Sequence, residues 1–526
     1  MAHNSNDELR ARQKKLNAIR GAGVNPYPEK FKKTHSLMEA KASAGGAKVK
    51  VAGRIMTMRD MGKLCFCHLL DNSGKMQIAL KSDDIGQEQY DFFVKNFDLG
   101  DFLGLEGEIF TTHKGEISIL VKNYQMLAKA LRPLPEKWHG LQDEELKYRE
   151  RYLDLIMNPD TKDRFLKRSA IVKNIREFLE ARDFIEVETP VLMTKASGAI
   201  AKPFITHHHA LDLDVYLRIA PETYLKRAIV GGFEKVFEFA RCFRNEGMDP
   251  SHLQDFTMLE FYQAYANFED LMRLTEELMR ELIMKTFGAS EIEIIGRGGN
   301  KRMIDFGQEW QVATFRDLII KDADIDIDEF AAADKLLKEI KKKKIKIDIA
   351  NPEKASRGKL IDELYKTVSR PKIYGPLFLI FHPIDLSPLA RKNDANPEIA
   401  DRFQLVVNGW EIVNAYSELV DPIDQRQRFE EQLKAKEAGD EEAMEIDEDY
   451  LRAMEHGMPP IAGWGMGIDR LVTILTGQDN LKDSVLFPLM KPEKNPSLIS
   501  EKNLEKEVEE EISNIIKETI KKHLKN

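Results

Sequence analysis

Between Phe243 and Tyr265 the chain reads FRNEGMDPSHLQDFTMLEFYQAY, which crowds Arg244, Glu246, His252, Phe256, Glu260 and Tyr262 into one short stretch. Two β-prone runs, 234–246 and 256–262, flank the turn-rich GMDPSHLQ, the pattern of an antiparallel hairpin. Alternation along a strand puts Arg244 and Glu246 on one face of the first run, and Phe256, Glu260 and Tyr262 on one face of the second. If the faces coincide, one surface offers a guanidinium for phosphate, a ring for a base and carboxylates for an ammonium group. That is a nucleotide site on an antiparallel sheet. A surface hairpin laced with ion pairs is the plainer reading, but burying so many charges without a ligand is costly.

A second run, GWGMGIDRLVTIL from Gly463, alternates glycines along a strand and sets Arg470 in the first turn of a helix. Small residues let a ligand approach the backbone, and a cation at a helix N-terminus favours an anion. The G-x-G-x-G spacing is not the dinucleotide fingerprint.

The elements that must position these residues belong to a large chain. Its 526 residues imply two or three domains, and 42% apolar against 32% charged residues imply packed cores with well-solvated surfaces. A net charge of -9 argues against sequence-independent coating of nucleic acid, although local basic surfaces stay open. The start, MAHNSNDELRARQKK, lacks the apolar core of a signal peptide, and no run approaches a membrane span, so a cytoplasmic protein is expected. Cys65, Cys67 and Cys242 indicate neither a disulfide framework nor a zinc site. His207 to His209 resemble ligands only superficially, because neighbours on a strand point to opposite faces.

Residues 1–48 form a basic N-terminal extension whose stretch 7–20 reads as a helix, with Leu9, Leu16 and Ile19 on its apolar side. A solvated face is the plainer account of its arginines and lysines, and an RNA contact the alternative. Residues 49–130 give three β-like runs, a helical stretch over 85–97 and two further strands, the order of an OB barrel. Six basic residues against two acidic ones between Val49 and Lys81, with Phe66 and His68 on one strand face, suit single-stranded nucleic acid. A Phe66 buried in the barrel core is the alternative. Residues 131–155 read as a linker and 156–492 as the larger domain, with a charged helical insertion over about 322–370 whose Lys341 to Lys344 are a solvated face. In 493–526, Leu504, Val508, Ile512, Ile516, Ile520 and Leu524 recur every four residues, predicting an amphipathic helix.

Together, DFIEVETPVL with Pro190, Arg244-x-Glu246 followed by His252-x-x-x-Phe256, and the final Gly-x-Gly-x-Asp-Arg resemble the three signature motifs of class II aminoacyl-tRNA synthetases. GAIAKPF, LRIAPETYLKR and SPLARKNDANPE are similar to the lysyl branch in particular. The resemblance, which spans roughly residues 5 to 492, implies an α+β protein: an N-terminal OB barrel, then a class II catalytic domain on an antiparallel sheet flanked by helices. It implies ATP and L-lysine as substrates, magnesium as cofactor, lysine tRNA as partner, and a homodimer formed through the first motif. The charge of the pocket agrees, since Glu222, Glu260 and Glu418 suit a cationic side chain rather than an anionic one.

Carried over by position, the resemblance gives the α-ammonium to Glu222 and Gly198, the carboxylate to Arg244 and Asn414, and the ε-ammonium to Glu418, Tyr262 and Glu260. Phe256 stacks on adenine, Glu246 reads its edge, and His252 and Arg470 meet the triphosphate. Arg244 and Arg470 neutralise charge at the reacting phosphorus, and Glu411 with Gln404 holds magnesium. In the barrel, Arg59, Phe66, Gln77 and Glu116 read anticodon bases. Two departures stand out. Ser251 replaces an arginine of the family's Arg-His-Asn-Pro-Glu-Phe, and Gln404 replaces a magnesium carboxylate. They motivate a rival reading, a weakened synthetase-like tRNA-binding protein. Strand parity also sets Glu411 opposite Asn414 unless a bulge intervenes.

Overall fold

The computed structural model describes residues 2–492, apart from 136–140, 142, 196–197, 200, 297–298, 350 and 438–445. The helix expected over 493–526 lies outside the described residues. The chain divides into two compact units, Met1–Gln142 and Asp143–Asn526.

In the first unit, strands β1 (Lys48–Asp60), β2 (Leu64–Leu70), β3 (Lys75–Lys81), β4 (Phe102–Thr111) and β5 (Ile117–Ala128) close into a barrel in the order β1-β2-β3-β5-β4. Strict alternation in LCFCHLL sends Cys65, Cys67 and Leu69 inward and leaves Phe66 and His68 on the outer face. The expected helix before β4 comes in two pieces, Ser82–Ile85 and Gln87–Asn96, and Tyr90 and Phe93 of the second are buried. The N-terminal helix spans Ala2–Gly21, longer than expected, and Ile19 joins the barrel core. Part of its basic side is already used: Arg12 Nη1 donates to the carbonyls of Leu99 (2.9 Å) and Ala130 (3.1 Å), and Lys15 Nζ lies 2.6 Å from Asp98.

The strands of the second unit are β6 (Ile185–Glu186), β7 (Leu192–Met193), β8 (Ile205–His208), β9 (Leu213–Leu217), β10 (Lys235–Phe243), β11 (Asp255–Ala264), β12 (Glu291–Ile295), β13 (Lys301–Asp305), β14 (Gln311–Thr314), β15 (Leu377–Ile380), β16 (Arg402–Val407), β17 (Trp410–Ser417) and β18 (Ile461–Gly467). Eight of them form one sheet in the order β14-β15-β16-β17-β18-β11-β10-β6. It is antiparallel from β15 to β10 and closed at each edge by a parallel strand.

One face of this sheet is apolar. Phe261 and Trp464 stack there with ring centroids 4.6 Å apart, and helices Pro159–Glu180 and Phe268–Phe287 cover them with Phe178, Leu271 and Leu278. The Trp464 indole N–H donates to Thr275 Oγ1 at 2.9 Å, so the polar edge of the largest buried ring is satisfied. The Phe268–Phe287 helix is fixed at its start by reciprocal bonds between Asn267 and Asp270 and stopped by left-handed Gly288. The helical insertion between β14 and β15 builds its own core from Leu336, Ile340, Leu360 and Leu364. Lys341, Lys342 and Lys343 pair at its surface with Glu353, Glu339 and Asp324.

Candidate active site

The opposite face of the sheet carries the chemistry, and strand register lays it out in rows. One row runs Gln404, Asn414, Gly465, Glu260, Glu238, and the next runs Arg402 opposite Tyr416, then Gly463, Tyr262 and Val236. Glycines on β18 leave the middle of both rows without side chains. A Cβ on Gly463 would lie 2.0 Å from Glu418 Oε1 and 2.5 Å from Tyr262 Cε1. The space is a cavity of about 300 Å³ lined among others by Gly198, Glu222, Arg244, Glu260, Tyr262 and Asn414. Sequence parity therefore brings Glu260, Tyr262 and Asn414 onto one surface with the alternating glycines.

Glu222 opens helix Glu222–Val230 and is 6% exposed. Gly198, at φ 92°, lies close enough that a Cβ there would meet Glu222 Cβ at 3.3 Å. Tyr416 OH donates to Glu222 at 3.1 Å, and Tyr262 OH to Glu260 Oε2 at 3.2 Å. Glu418 is 1% exposed, and neither of its oxygens accepts a well-formed hydrogen bond, although Lys226 Nζ is ion-paired with Oε2. Burial and then the Glu222 charge push the Glu260 carboxyl up to about 8. Burial also drives Glu418 well above the usual carboxylate range, against the pull of Lys226. For Lys226 itself, burial works against the charge, and Glu222 and Glu418 more than reverse it. Such a cluster is built to receive cations.

The wall of the cavity is propped from behind. Arg428 Nη1 donates to the carbonyls of Ser387 (3.2 Å) and Ala390 (2.7 Å), holding the 386–390 loop in place. Arg402 donates from Nε to Asn414 Oδ1 (2.8 Å) and from Nη1 to Leu386 O (2.7 Å). Glu238, beside Glu260 in the ladder, is taken up by Arg218 at 2.5 Å.

Beyond Glu260 the site becomes cationic. The Arg244 guanidinium stands 5.1 Å from the Phe256 ring centroid, and burial, Arg244 and Arg370 disfavour the charge of half-buried Arg470 against the pull of Glu411. Arg470 Nη1 donates to the Glu411 carbonyl at 2.8 Å. Here the hairpin differs from expectation: β10 ends at Phe243, so Arg244 and Glu246 lie past its end rather than on a shared strand face. Only Arg244 remains laddered, its N–H donating to Gln254 O at 2.8 Å. The reason is the turn beyond, where Asp249 accepts from the Ser251 N–H (2.6 Å) and Oγ (2.8 Å) and pairs with His252 Nδ1 (2.7 Å). Exposed His252 and half-buried Glu246 do not line the cavity.

The parity conflict at Glu411 is resolved by a bulge. Leu405 faces Val413 but Val406 faces Glu411, leaving Ile412 as the extra residue. The bulge turns Glu411 onto the face of Asn414 and Tyr416, where Gln404 also lies. Glu411 and Gln404 thus share a face, one carboxylate and one amide. The chemistry of that pair is compatible with magnesium carried largely by phosphate oxygens and water, for which one or two protein carboxylates are enough. Among the described residues no group of three or more His, Cys, Asp or Glu could enclose a metal by itself, and His207 is paired with Asp214 at 2.9 Å.

The barrel has a polar face of its own. Arg59 pairs with Phe66 across β1 and β2, and Gln77 with His68 across β2 and β3. Glu116 accepts from Gln77 Nε2 (2.9 Å) and lies 3.2 Å from His68 Nε2, so Arg59, Phe66, Gln77 and Glu116 share a surface patch. The outward ring of Phe66 disposes of a core role.

Sequence reasoning missed Lys226, Arg402 and Tyr416. Tyr416 and Arg402 were within reach, each two residues along a strand from Asn414 or Gln404. Lys226 gave a weaker signal, since a Glu222-to-Lys226 spacing of four on a helix usually marks an exposed pair.

Residues 143–491 match the family described as tRNA synthetases class II (D, K and N), and residues 49–127 match an OB-fold nucleic acid binding domain. The lysine–tRNA ligase of Pelotomaculum thermopropionicum is 44% identical over 492 residues, covering 93% of this chain and 96% of that protein. Those of Carboxydothermus hydrogenoformans and Citrobacter koseri are each 45% identical, covering 94% and 93% of this chain and 100% and 97% of theirs.

Proposed function

We propose, from the premise that this chain belongs to the class II (D, K and N) tRNA synthetases, that it activates L-lysine with ATP and transfers the lysyl group to the 3′ end of lysine tRNA. The observation that carries the lysine assignment is the buried acidic cluster, in which Glu418 Oε1 faces the glycine floor of the cavity without a hydrogen-bond donor. An aspartate side chain would set a second negative charge against that carboxylate, and an asparagine amide could hydrogen-bond it but not neutralise it, whereas an ammonium does both.

In this reading Glu222 and the backbone of Gly198 hold the α-ammonium, while Glu418, Tyr262 and Glu260 receive the ε-ammonium. Arg244 and Asn414 orient the substrate carboxylate, which attacks the α-phosphorus of ATP, forms lysyl-adenylate and expels pyrophosphate. No protein nucleophile is needed. The chain supplies alignment and preorganised positive charge from Arg244 and Arg470. Phe256 stacks on adenine with Glu246 at its edge, and His252 lies toward the outer phosphates. Magnesium, held by Glu411 with Gln404 as a neutral second donor, would offset phosphate charge when bound. A terminal ribose hydroxyl of the tRNA then takes the lysyl group.

Arg59, Phe66, Gln77 and Glu116 contact anticodon bases, the ring stacking and the polar groups selecting. A homodimer fits the exposed Ile185, Leu192, Ile205 and Leu213 beside the first motif. Among the described residues no helix is long and apolar enough to cross a membrane, and the cytoplasm is where such an enzyme meets its tRNA. Exchange of labelled pyrophosphate into ATP, run with each amino acid in turn, tests the assignment. Lysine alone should support exchange; exchange with aspartate or asparagine instead would overturn it.

A further inference from the structure

A lysine of the chain itself sits among the carboxylates assigned to the substrate. Lys226 lies one turn beyond Glu222 on the same helix, and its side chain is fully buried. Its Nζ is 2.5 Å from Glu222 Oε1 and ion-paired with Glu418 Oε2. The rings of Tyr262, Tyr416 and Tyr450 surround it with centroids 5.8, 5.9 and 5.8 Å away. Glu260, the third carboxylate, is hydrogen-bonded to the Tyr262 hydroxyl. One ammonium thus faces three carboxylates.

The other charges around the cluster do not close this gap. Arg244, past the end of β10, acts on Glu260 but stands over Phe256. Arg402 on β16 is committed to Asn414, Leu386 and Ser387. Glu238 on β10 is paired with Arg218, and the Cys242 thiol facing Glu260 is pushed up to about 12, chiefly by burial. A lysine substrate brings two ammonium groups and a carboxylate; with that carboxylate given to Arg244, the two ammonium groups and Lys226 stand against Glu222, Glu260 and Glu418, beside Arg402, whose own partners are neutral.

We propose that Lys226 is a positioning residue that sets the charge balance of the substrate pocket: it permanently satisfies one carboxylate equivalent, and a proton held by the remaining carboxylates leaves when the two ammonium groups of lysine arrive. The proposal deepens the lysine reading given above and rests on it. Lys226 also ties the helix to the segment after β17, fixing Glu222 and Glu418 in place while Glu418 Oε1 stays free for the ligand. Because Glu260 is pushed up to about 8 by burial and Glu222, its carboxyl is largely protonated at neutral pH before lysine binds. A cation bound beside it lowers that value, so protons are released and lysine affinity rises with pH up to about 8.

Calorimetric titration of the full-length protein with L-lysine at pH 7, in two buffers of different ionisation enthalpy, tests the proposal. Release of about one proton per lysine is expected, with norleucine, which lacks the ε-ammonium, releasing less. In Lys226→Met, proton release should increase, the pH dependence of lysine KM should move upward, and KM should rise roughly 30-fold with a smaller change in kcat. Lysine binding with equal heats in both buffers would overturn the proposal alone. Absence of any lysine binding would overturn the functional reading and this proposal with it. Should Lys226→Met fail to fold, the wild-type buffer pair decides by itself.

Discussion

The protein builds two recognition surfaces on β-structure, and they differ in how far each is withdrawn from water. On the barrel, Phe66, Gln77, His68 and Glu116 are half-buried or exposed, and Gln77 and His68 are hydrogen-bonded to Glu116. On the large sheet, Glu222, Glu260 and Glu418 are 6%, 4% and 1% exposed, and Glu418 keeps both oxygens without a well-formed hydrogen bond. Electrostatic interactions strengthen as water is excluded, and so does the cost of leaving a charge unpaired. On the proposed function, the barrel face would read bases through contacts that are individually modest, whereas the sheet face would concentrate discrimination in a few groups. Sensitivity to mutation should follow burial.

The severest test of that gradient is Gly463→Ala. Its methyl would enter the space of Glu418 Oε1, and lysine-dependent pyrophosphate exchange should fall by about a thousandfold or more. Near-normal exchange would show that the cavity is not where the amino acid binds. Glu418→Gln keeps shape but removes charge, so kcat/KM for lysine should drop roughly 100-fold while KM for ATP stays within about twofold. An equal loss toward both substrates would mean that the acidic cluster and the cationic end are not separate. Phe256→Ala, at a half-buried ring, should raise KM for ATP about tenfold and leave lysine affinity unchanged. Phe66→Ala should be mildest, lowering tRNA charging by roughly fivefold, the lower end for one stacked base, with exchange intact. A Phe66 effect larger than that of Glu418→Gln would break the link between burial and sensitivity.

Where local alternation governs, the sequence was legible. The shared face of Phe66 and His68, that of Cys65 and Cys67, and that of Phe256, Glu260 and Tyr262 all follow from a period of two, which by itself left open whether Phe66 points outward. The barrel and its strand order were readable for the same reason, whereas the large sheet was expected from the resemblance of the motifs. What escaped was set by tertiary geometry. The bulge at Ile412 depends on how β16 meets β17, so parity alone left Glu411 on the wrong face. The β10 strand stops at Phe243 because the Asp249 turn captures Ser251 and His252, a competition that β-propensity does not register. Lys226 was not singled out at all, because only the approach of Glu418 from after β17 makes it part of a buried cluster.

The glycines of β18 have a consequence for motion. A strand bare on one face contributes little packing there and would be weak by itself. Yet Ala462 to Met466 are laddered on both sides, by β11 and β17, and Trp464 anchors the strand from behind. Its amides should rank among the slowest in the chain to exchange with deuterium, opening only with global unfolding. The floor under the substrate is then the least compliant part of the pocket, and any adjustment to a different amino acid has to come from the 386–390 loop and the Glu222–Val230 helix that form its walls.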